Sequence, residues 1–170
     1  MSAGWSTWVH TRRGLLLGAG ATSLAAAAPA AAAPPSDIEI LERLVRLEHR
    51  LEAAYEAAGR RGVLDEELAL SLRDQEREHR EGLEASLAAR GRSAPGAPAG
   101  DSRLPGALRS RTAFARYALD LEGQAVHSYV DAEASLLSTH LLRPLGAIMA
   151  SEAQHEVALR MTLGEPLLGV

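Results

Sequence analysis

Asp74-Gln75-Glu76-Arg77-Glu78-His79 and Glu152-Ala153-Gln154-His155 each place a histidine three residues after a glutamate. On a helix, two residues at this spacing lie about 60° apart around the axis and about 4.5 Å apart along it. The two side chains of each pair can therefore reach the same metal ion. A single Glu-x-x-His motif is weak evidence, so the surrounding sequence decides whether the two copies belong to one site.

Each motif interrupts an apolar stripe with spacings of three and four residues, which is the period of an amphipathic helix. Two more stripes, without histidine, are also interrupted near the middle by glutamate. The predicted stripes, in chain order, are Leu41, Leu44, Glu48, Leu51, Tyr55 and Ala58; Ala69, Leu72, Glu76, His79, Leu83 and Ser86; Ala115, Ala118, Glu122, Val126, Tyr129, Glu133 and Leu136; Leu145, Ile148, Glu152, His155, Leu159 and Thr162.

The sequence predicts an all-α protein of four long helices, because Ala, Leu, Glu and Arg dominate after residue 36 while Val and Ile are scarce. Capping residues and glycines set the expected ends. We expect helices from Ser36 or Asp37 to near Gly59, from Asp65 to near Gly91, and from Ser110 to about Leu136. The last helix should begin at Pro144, or at Ser138 with a kink at Pro144, and end at Gly164.

Residues 91–108 are rich in Gly, Pro, Ala and Ser and predict a linker. The other two connections are short, so the first and second helices, and the third and fourth, should form antiparallel hairpins. Eighteen residues can span the length of a helical bundle. The sequence therefore predicts an antiparallel four-helix bundle of two hairpins joined by a long crossover linker, occupying residues 34–170.

Residues 1–33 are predicted to be an export signal of the twin-arginine type. Arg12 and Arg13 precede a short, weakly hydrophobic run, and several Ala-x-Ala triplets up to Ala33 offer cleavage sites. The leucine-rich part is too short to span a bilayer, which argues against a membrane anchor. We therefore expect an exported protein, periplasmic or extracellular, that uses the twin-arginine machinery and can acquire its metal in the cytoplasm.

Composition excludes several functions. The chain has 18 basic and 22 acidic residues. Residues 1–33 contain two of the basic residues, Arg12 and Arg13, and no acidic residue, so residues 34–170 carry a net charge of −6 (16 − 22). A nucleic-acid binder would be basic, so nucleic acid is not an expected partner. Cysteine is absent, which excludes disulfides, cysteine-ligated iron–sulfur clusters and a thiol nucleophile.

Four carboxylates facing one core would destabilise it unless something compensates their charge. Two divalent cations would balance four glutamates, with neutral histidine adding no charge. Carboxylate oxygen and imidazole nitrogen suit iron or manganese. The predicted ligands of this dinuclear site are Glu48, Glu76, His79, Glu122, Glu152 and His155.

The two halves of the chain repeat the pattern, since Tyr55 follows Glu48 by seven residues and Tyr129 follows Glu122 by seven. With the two Glu-x-x-His motifs, this set resembles the ferritin-like superfamily, especially its exported bacterial members, over about residues 38–164. The resemblance implies that Glu76 and Glu152 bridge the metals and that the other four residues are terminal ligands. It also implies that both tyrosines lie beside the site, as hydrogen-bond partners or redox-active phenols.

The resemblance also implies an oxidoreductase activity with dioxygen or peroxide, such as ferrous iron oxidation or peroxide removal. The absence of cysteine excludes a rubredoxin module, and only 15 residues follow His155, too few for a fifth helix of cage ferritins. Such a bundle could pair as a homodimer. The alternative function is a non-catalytic envelope scaffold that binds metal or a partner.

Two residue assignments stay open. Glu52 could be a ligand in place of Glu48, since both are within reach of one helix face. Glu133 could be a ligand, a neighbour of the site or a bundle-end residue.

Overall fold

A computed structural model describes residues 35–167, and these residues form a helical bundle. Four long helices dominate it: α1 (Asp37–Arg61), α2 (Glu66–Ala88), α4 (Arg111–Ser135) and α5 (Leu142–Leu163). A four-residue helix, α3 (Leu104–Ala107), lies in the long connection, and a 3-10 turn (Thr139–Leu141) precedes α5. The predicted all-α fold with hairpins α1–α2 and α4–α5 is confirmed.

The predicted capping residues begin the first three long helices. Ser36 accepts a hydrogen bond from the Glu39 backbone, and the Glu39 side chain accepts one in return, which forms a capping box. Asp65 and Ser110 cap α2 and α4 through their side chains. These caps satisfy backbone N–H groups that have no acceptor within the helix.

Three predicted helix ends differ from the structure. Helix α1 continues past Gly59 and ends before Gly62, whose φ of 67° is the left-handed conformation that favours glycine. Helix α2 ends at Ala88, three residues before Gly91. Helix α5 begins at Leu142, so Pro144 is its third residue. Proline fits there because first-turn N–H groups have no intrahelical acceptor.

The crossover connection is tied to the bundle through Asp101. Its carboxylate lies 3.2 Å from the Arg50 guanidinium of α1 and accepts a hydrogen bond from the Tyr117 hydroxyl of α4 at 3.2 Å. Arg103 contacts Asp101 at 3.1 Å and Asp120 at 2.8 Å. These contacts fix the connection against both hairpins, and they hold the pKa of Asp101 well below its usual range, chiefly through Arg103.

The apolar core consists of two clusters with a polar layer between them. One cluster, around Leu51, Tyr55, Phe114 and Leu121, lies towards the α1–α2 turn. The other, around Ile40, Leu83, Tyr129 and Leu145, lies towards the opposite end of the bundle. The two clusters cover the polar layer along the bundle axis and exclude water from both ends.

The stripe prediction was wrong at several positions. Ala125 is fully buried in α4 where Val126 was predicted, and Leu87 is fully buried in α2 where Ser86 was predicted. Residues three and four positions along a helix lie on either side of the same face, so spacing alone does not decide which of two adjacent residues is buried. No helix among residues 35–167 is both long and apolar enough to cross a membrane.

Candidate metal centre

Each long helix contributes to the polar layer between the two apolar clusters. All six residues predicted as metal ligands lie there, which the shared stripe position explains. The four glutamates have no exposed surface, His155 is 3% exposed, and the His79 side chain is 13% exposed. The structure thus brings the whole predicted set together in the bundle core.

The six side chains form two overlapping groups, each able to place four ligand atoms within 4.8 Å of one another. The first group contains Glu48, Glu76, His79 and Glu152, and the second contains Glu76, Glu122, Glu152 and His155. Glu76 and Glu152 belong to both groups, the arrangement expected of carboxylates that bridge two ions. Each group includes residues from both hairpins.

The histidines have their Nδ1 atoms directed at the carboxylates. His79 Nδ1 lies 3.0 Å from Glu152 Oε1, 3.3 Å from Glu76 Oε2 and 3.8 Å from Glu48 Oε2. His155 Nδ1 lies 2.9 Å from Glu76 Oε1, 3.0 Å from Glu152 Oε2 and 3.6 Å from Glu122 Oε1. The two rings stack with their centroids 5.9 Å apart, which reproduces the approximate symmetry of the sequence motifs.

Several fully buried polar atoms in the layer make no hydrogen bond of acceptable geometry, although some of them lie about 3 Å from a histidine ring nitrogen. They are Glu48 Oε2, Glu76 Oε1, Glu122 Oε2, both carboxylate oxygens of Glu152 and His155 Nδ1. Buried polar atoms are almost always hydrogen-bonded, because leaving one unpaired costs about 1–3 kcal/mol. All six unpaired atoms are oxygen or imidazole nitrogen, and they converge on one region, so they fit the donor set of a metal centre.

Without metal, protons must balance the charges of this layer. Burial raises the pKa values of Glu48 and Glu122 well above their ordinary value, and nearby glutamates add to the effect. Burial alone would lower the pKa of His79, but the carboxylates of Glu152, Glu48 and Glu76 outweigh it and raise that pKa to about 11.

In Glu152 and His155, too, nearby opposite charges outweigh the effect of burial on the pKa. Burial opposes ionisation of Glu152, yet His155 and His79 outweigh it and lower its pKa to about 2. Burial likewise disfavours the charged form of His155, but the surrounding carboxylates raise its pKa to about 12. The metal-free layer therefore contains an ionised Glu152 between two imidazolium rings, the positive charges occupying the region where cations would bind.

The two predicted tyrosines contact the site from opposite hairpins. The Tyr55 hydroxyl of α1 donates a hydrogen bond to Glu122 of α4, and the Tyr129 hydroxyl of α4 donates one to Glu48 of α1. These crossed hydrogen bonds orient the two carboxylates that each belong to one group only. Burial raises the pKa values of both phenols, so both stay protonated and remain donors at neutral pH.

One contact of the site was missed by sequence reasoning. Gln75 Oε1 lies 3.3 Å from His155 Nε2, the ring nitrogen that points away from the carboxylates, and Ser151 Oγ lies 3.4 Å from the same nitrogen. An acceptor at Nε2 places the proton there and leaves Nδ1 free to bind metal. The sequence clue to this contact was the position of Gln75 directly before Glu76, the first residue of the first Glu-x-x-His motif.

Glu52 and Glu133, the two residues whose assignment stayed open, lie at the edge of the site. Glu52 pairs with Arg80 at 2.9 Å, outside both groups, whereas Glu48 belongs to one. Glu133 is half-buried beside Gly146 and also lies outside both groups. The predicted export signal, with Arg12 and Arg13, lies outside the described residues.

An all-α bundle with a buried glutamate–histidine layer at mid-height belongs to the class of helical carboxylate proteins that can hold metal in the core. A ferritin-like domain family matches residues 36–165, and the chain belongs to that family. A search of curated proteins finds no match to the chain.

A solved structure shares the fold. It is a conserved hypothetical protein, rv2844, from Mycobacterium tuberculosis, with a TM-score of 0.66 and 22% sequence identity. The match covers 79% of this chain and 95% of that one. At this identity the similarity supports the fold alone.

Proposed function

We propose that this ferritin-like protein binds a dinuclear iron or manganese centre and uses it to oxidise ferrous iron or remove peroxide. The observation that carries the proposal is the set of six buried, unpaired ligand atoms from four helices. Glu76 and Glu152 would bridge the two ions, with Glu48 and His79 completing one site and Glu122 and His155 the other. Such ions, when bound, supply electron transfer to dioxygen or peroxide.

The charges and donor types support this assignment. Four carboxylates and two neutral histidines carry −4, which two divalent ions balance. Hard oxygen donors with one imidazole per ion suit iron and manganese, and the chain has no thiolate to favour softer metals. Binding the ions would also exchange the imidazolium protons for metal, so that uptake releases protons.

The surrounding residues support a reactive site in three ways. Tyr55 and Tyr129 hold Glu122 and Glu48 by hydrogen bonds, which fixes those carboxylates in position. Buried Ala118 and Ala125 beside Glu122 are small, so they would obstruct a small oxidant less than larger side chains would. The apolar clusters above and below keep bulk water away, which strengthens electrostatic interactions within the layer.

Metal analysis of the protein purified without chelator tests the binding proposal. We expect about two iron or manganese ions per chain, one for each group. The matched variants are Glu48→Gln and Glu52→Gln, which remove carboxylates one turn apart on α1. Glu48→Gln should lose metal, and Glu52→Gln should retain it because Glu52 pairs with Arg80. Equal retention in both variants would refute the ligand assignment.

Activity needs a separate measurement. Ferrous-loaded protein is mixed with dioxygen or peroxide, and oxidation is followed by ferric absorbance and by peroxide consumption. Faster oxidation than for ferrous ion alone, lost in Glu48→Gln but not in Glu52→Gln, supports an oxidoreductase. Stable metal binding with no acceleration supports the alternative of a structural metal in a scaffold protein.

We further propose that the protein is exported, and residues 1–33 support this through the Arg12-Arg13 pair and the Ala-rich stretch that follows. Export of a folded, already loaded protein would let the bundle acquire its ions in the cytoplasm, where the supply of competing metals is controlled. Fractionation of cells that express the full chain tests this proposal.

A further inference from the structure

Aromatic side chains are rare beyond residue 35, where only Tyr55, Phe114, Tyr117 and Tyr129 occur. Three of the four form a continuous series. The Tyr55 and Phe114 ring centroids lie 6.0 Å apart at an angle of 73°, and the Phe114 and Tyr117 centroids lie 6.1 Å apart at 48°. These distances correspond to direct contact between neighbouring rings.

The series begins at the candidate metal centre and ends near the protein surface at Tyr117, which is mostly buried but lines a small cavity with Asp101. At its inner end, the fully buried Tyr55 hydroxyl donates to Glu122. At its outer end, Tyr117 is 9% exposed, its hydroxyl donates to Asp101 at 3.2 Å, and the Arg103 guanidinium lies 5.3 Å from its ring centre. Packing alone does not require the polar hydroxyls found at both ends.

We propose that Tyr55, Phe114 and Tyr117 form an electron-transfer path between the metal centre and a surface site at Tyr117, where an external one-electron donor in solution is oxidised. The inference rests on the proposed redox function of the centre. Electron transfer becomes exponentially slower with distance, so contacts between successive rings favour this route over the aliphatic side chains around it. Phe114 is too hard to oxidise to hold the charge itself, and it acts as the bridge between two phenols.

The path supplies an electron when hydrogen peroxide reacts with a centre that holds a single ferrous ion. Cleavage of the O–O bond to give two water molecules requires two electrons and two protons. One electron comes from the bound ferrous ion, which becomes ferric, and the other comes from Tyr117, which becomes a neutral phenoxyl radical. The phenolic proton leaves through Asp101 to solvent, so the reaction consumes one proton overall. A one-electron donor such as ascorbate then reduces the radical, and the phenol regains a proton from water.

Asp101 suits this proton transfer. Its carboxylate accepts the phenolic hydrogen bond, and Arg50 and Arg103 keep it ionised, so it can receive a proton but does not retain it. Tyr129 offers an internal comparison, because it also hydrogen-bonds to the centre but forms no ring pair with the other aromatic residues among residues 35–167. A radical formed at Tyr129 would therefore have no equivalent route to the surface.

The test uses the full chain loaded with one ferrous ion per chain and treated with hydrogen peroxide. Electron paramagnetic resonance detects the phenoxyl radical, and a nitroso spin trap followed by mass spectrometry locates it. We expect the adduct at Tyr117, and its loss when ascorbate is present. Phe114→Leu should remove most of the Tyr117 adduct, while ferrous binding, measured separately, is retained. The matched control is Leu159→Val, which alters a fully buried residue of the same apolar cluster without touching the aromatic series.

Each outcome decides the proposal. An unchanged Tyr117 adduct in Phe114→Leu would mean that oxidants attack Tyr117 directly from solution, and the path would be wrong. Ferrous binding and peroxide consumption without any Tyr117 radical would overturn the path and leave the proposed function intact. Failure of the wild-type chain to bind ferrous ion would overturn both. If Phe114→Leu does not fold or bind ferrous ion, Phe114→Met, which is closer in volume, replaces it.

Discussion

The metal-free protein should become less stable as pH rises from 7 to 9. His79 and His155 have folded pKa values of about 11 and 12, against an ordinary value of 6.5. The folded state therefore binds more protons than the unfolded state throughout this range. Stability from these groups is complete below pH 6.5 and is lost as pH rises towards their folded values.

The magnitude follows from the number of protons released on unfolding. Each extra proton held by the folded state lowers the free energy of unfolding by about 1.4 kcal/mol per pH unit. If both histidines keep their protons, the slope is about −2.7 kcal/mol per pH unit. The raised pKa values of Glu48 and Glu122 act in the same direction. The lowered pKa of Glu152, about 2, affects stability only in acid and does not oppose this slope.

Urea unfolding in the presence of a chelator, followed by circular dichroism at several pH values, measures the slope. His79→Gln should reduce it by about half, or about 1.4 kcal/mol per pH unit. The control is His127→Gln, because the exposed His127 ring hydrogen-bonds to the Gly123 carbonyl at 2.6 Å and lies outside the carboxylate layer. A flat or rising stability from pH 7 to 9 in wild-type apo protein would refute the description of the layer as proton-balanced. Added metal should reverse the trend, because protons compete with it for the ligands.

Three further predictions concern separate features of the chain. Gln75→Leu removes the partner of His155 Nε2, and calorimetric titration should show a loss of metal affinity of about 10–100-fold at one of the two proposed metal sites. An equal effect on both sites, or no effect on either, would contradict the role of Gln75 in orienting His155. Gly82→Ala should raise the free energy of unfolding by about 0.5–1 kcal/mol, because Gly82 lies within α2 and an added Cβ meets no atom within 4 Å; destabilisation in urea would contradict this. Changing Arg12 and Arg13 to Gln should retain folded, full-length protein in the cytoplasm, and unchanged secretion on immunoblots of cell fractions would refute the twin-arginine signal.

The middle of the bundle was the most predictable part of the structure. Glu48, Glu76, Glu122 and Glu152 interrupt apolar stripes at their centres, where a spacing of three and four residues stays aligned with the helix axis. Ser86 and Val126 were misplaced because each has a neighbour on the same side of its helix, Leu87 and Ala125, and spacing alone does not decide which of the two faces the core. The burial of the six candidate ligands followed from periodicity alone.

Contacts between distant parts of the chain could not be predicted in the same way. The position of Asp101 in a Gly- and Pro-rich segment gives no period, so its contacts with Arg50 and Tyr117 became visible only in the folded chain. The crossed pairing of Tyr55 with Glu122, and the protonation of the histidines, depend on which helices are neighbours. Sequence spacing defines faces of single helices, but it does not define distances between them.

Because Glu76 and Glu152 belong to both four-residue groups, an ion bound in either group would cross-link the two hairpins. Each hairpin supplies one shared carboxylate, one histidine and one further glutamate, so neither half carries a complete group. If the chain were cut within residues 92–100, reassembly of the halves would become a bimolecular reaction whose equilibrium depends on metal concentration. In the intact chain, the crossover connection is the tether that keeps one half of the binding site at a high effective concentration near the other.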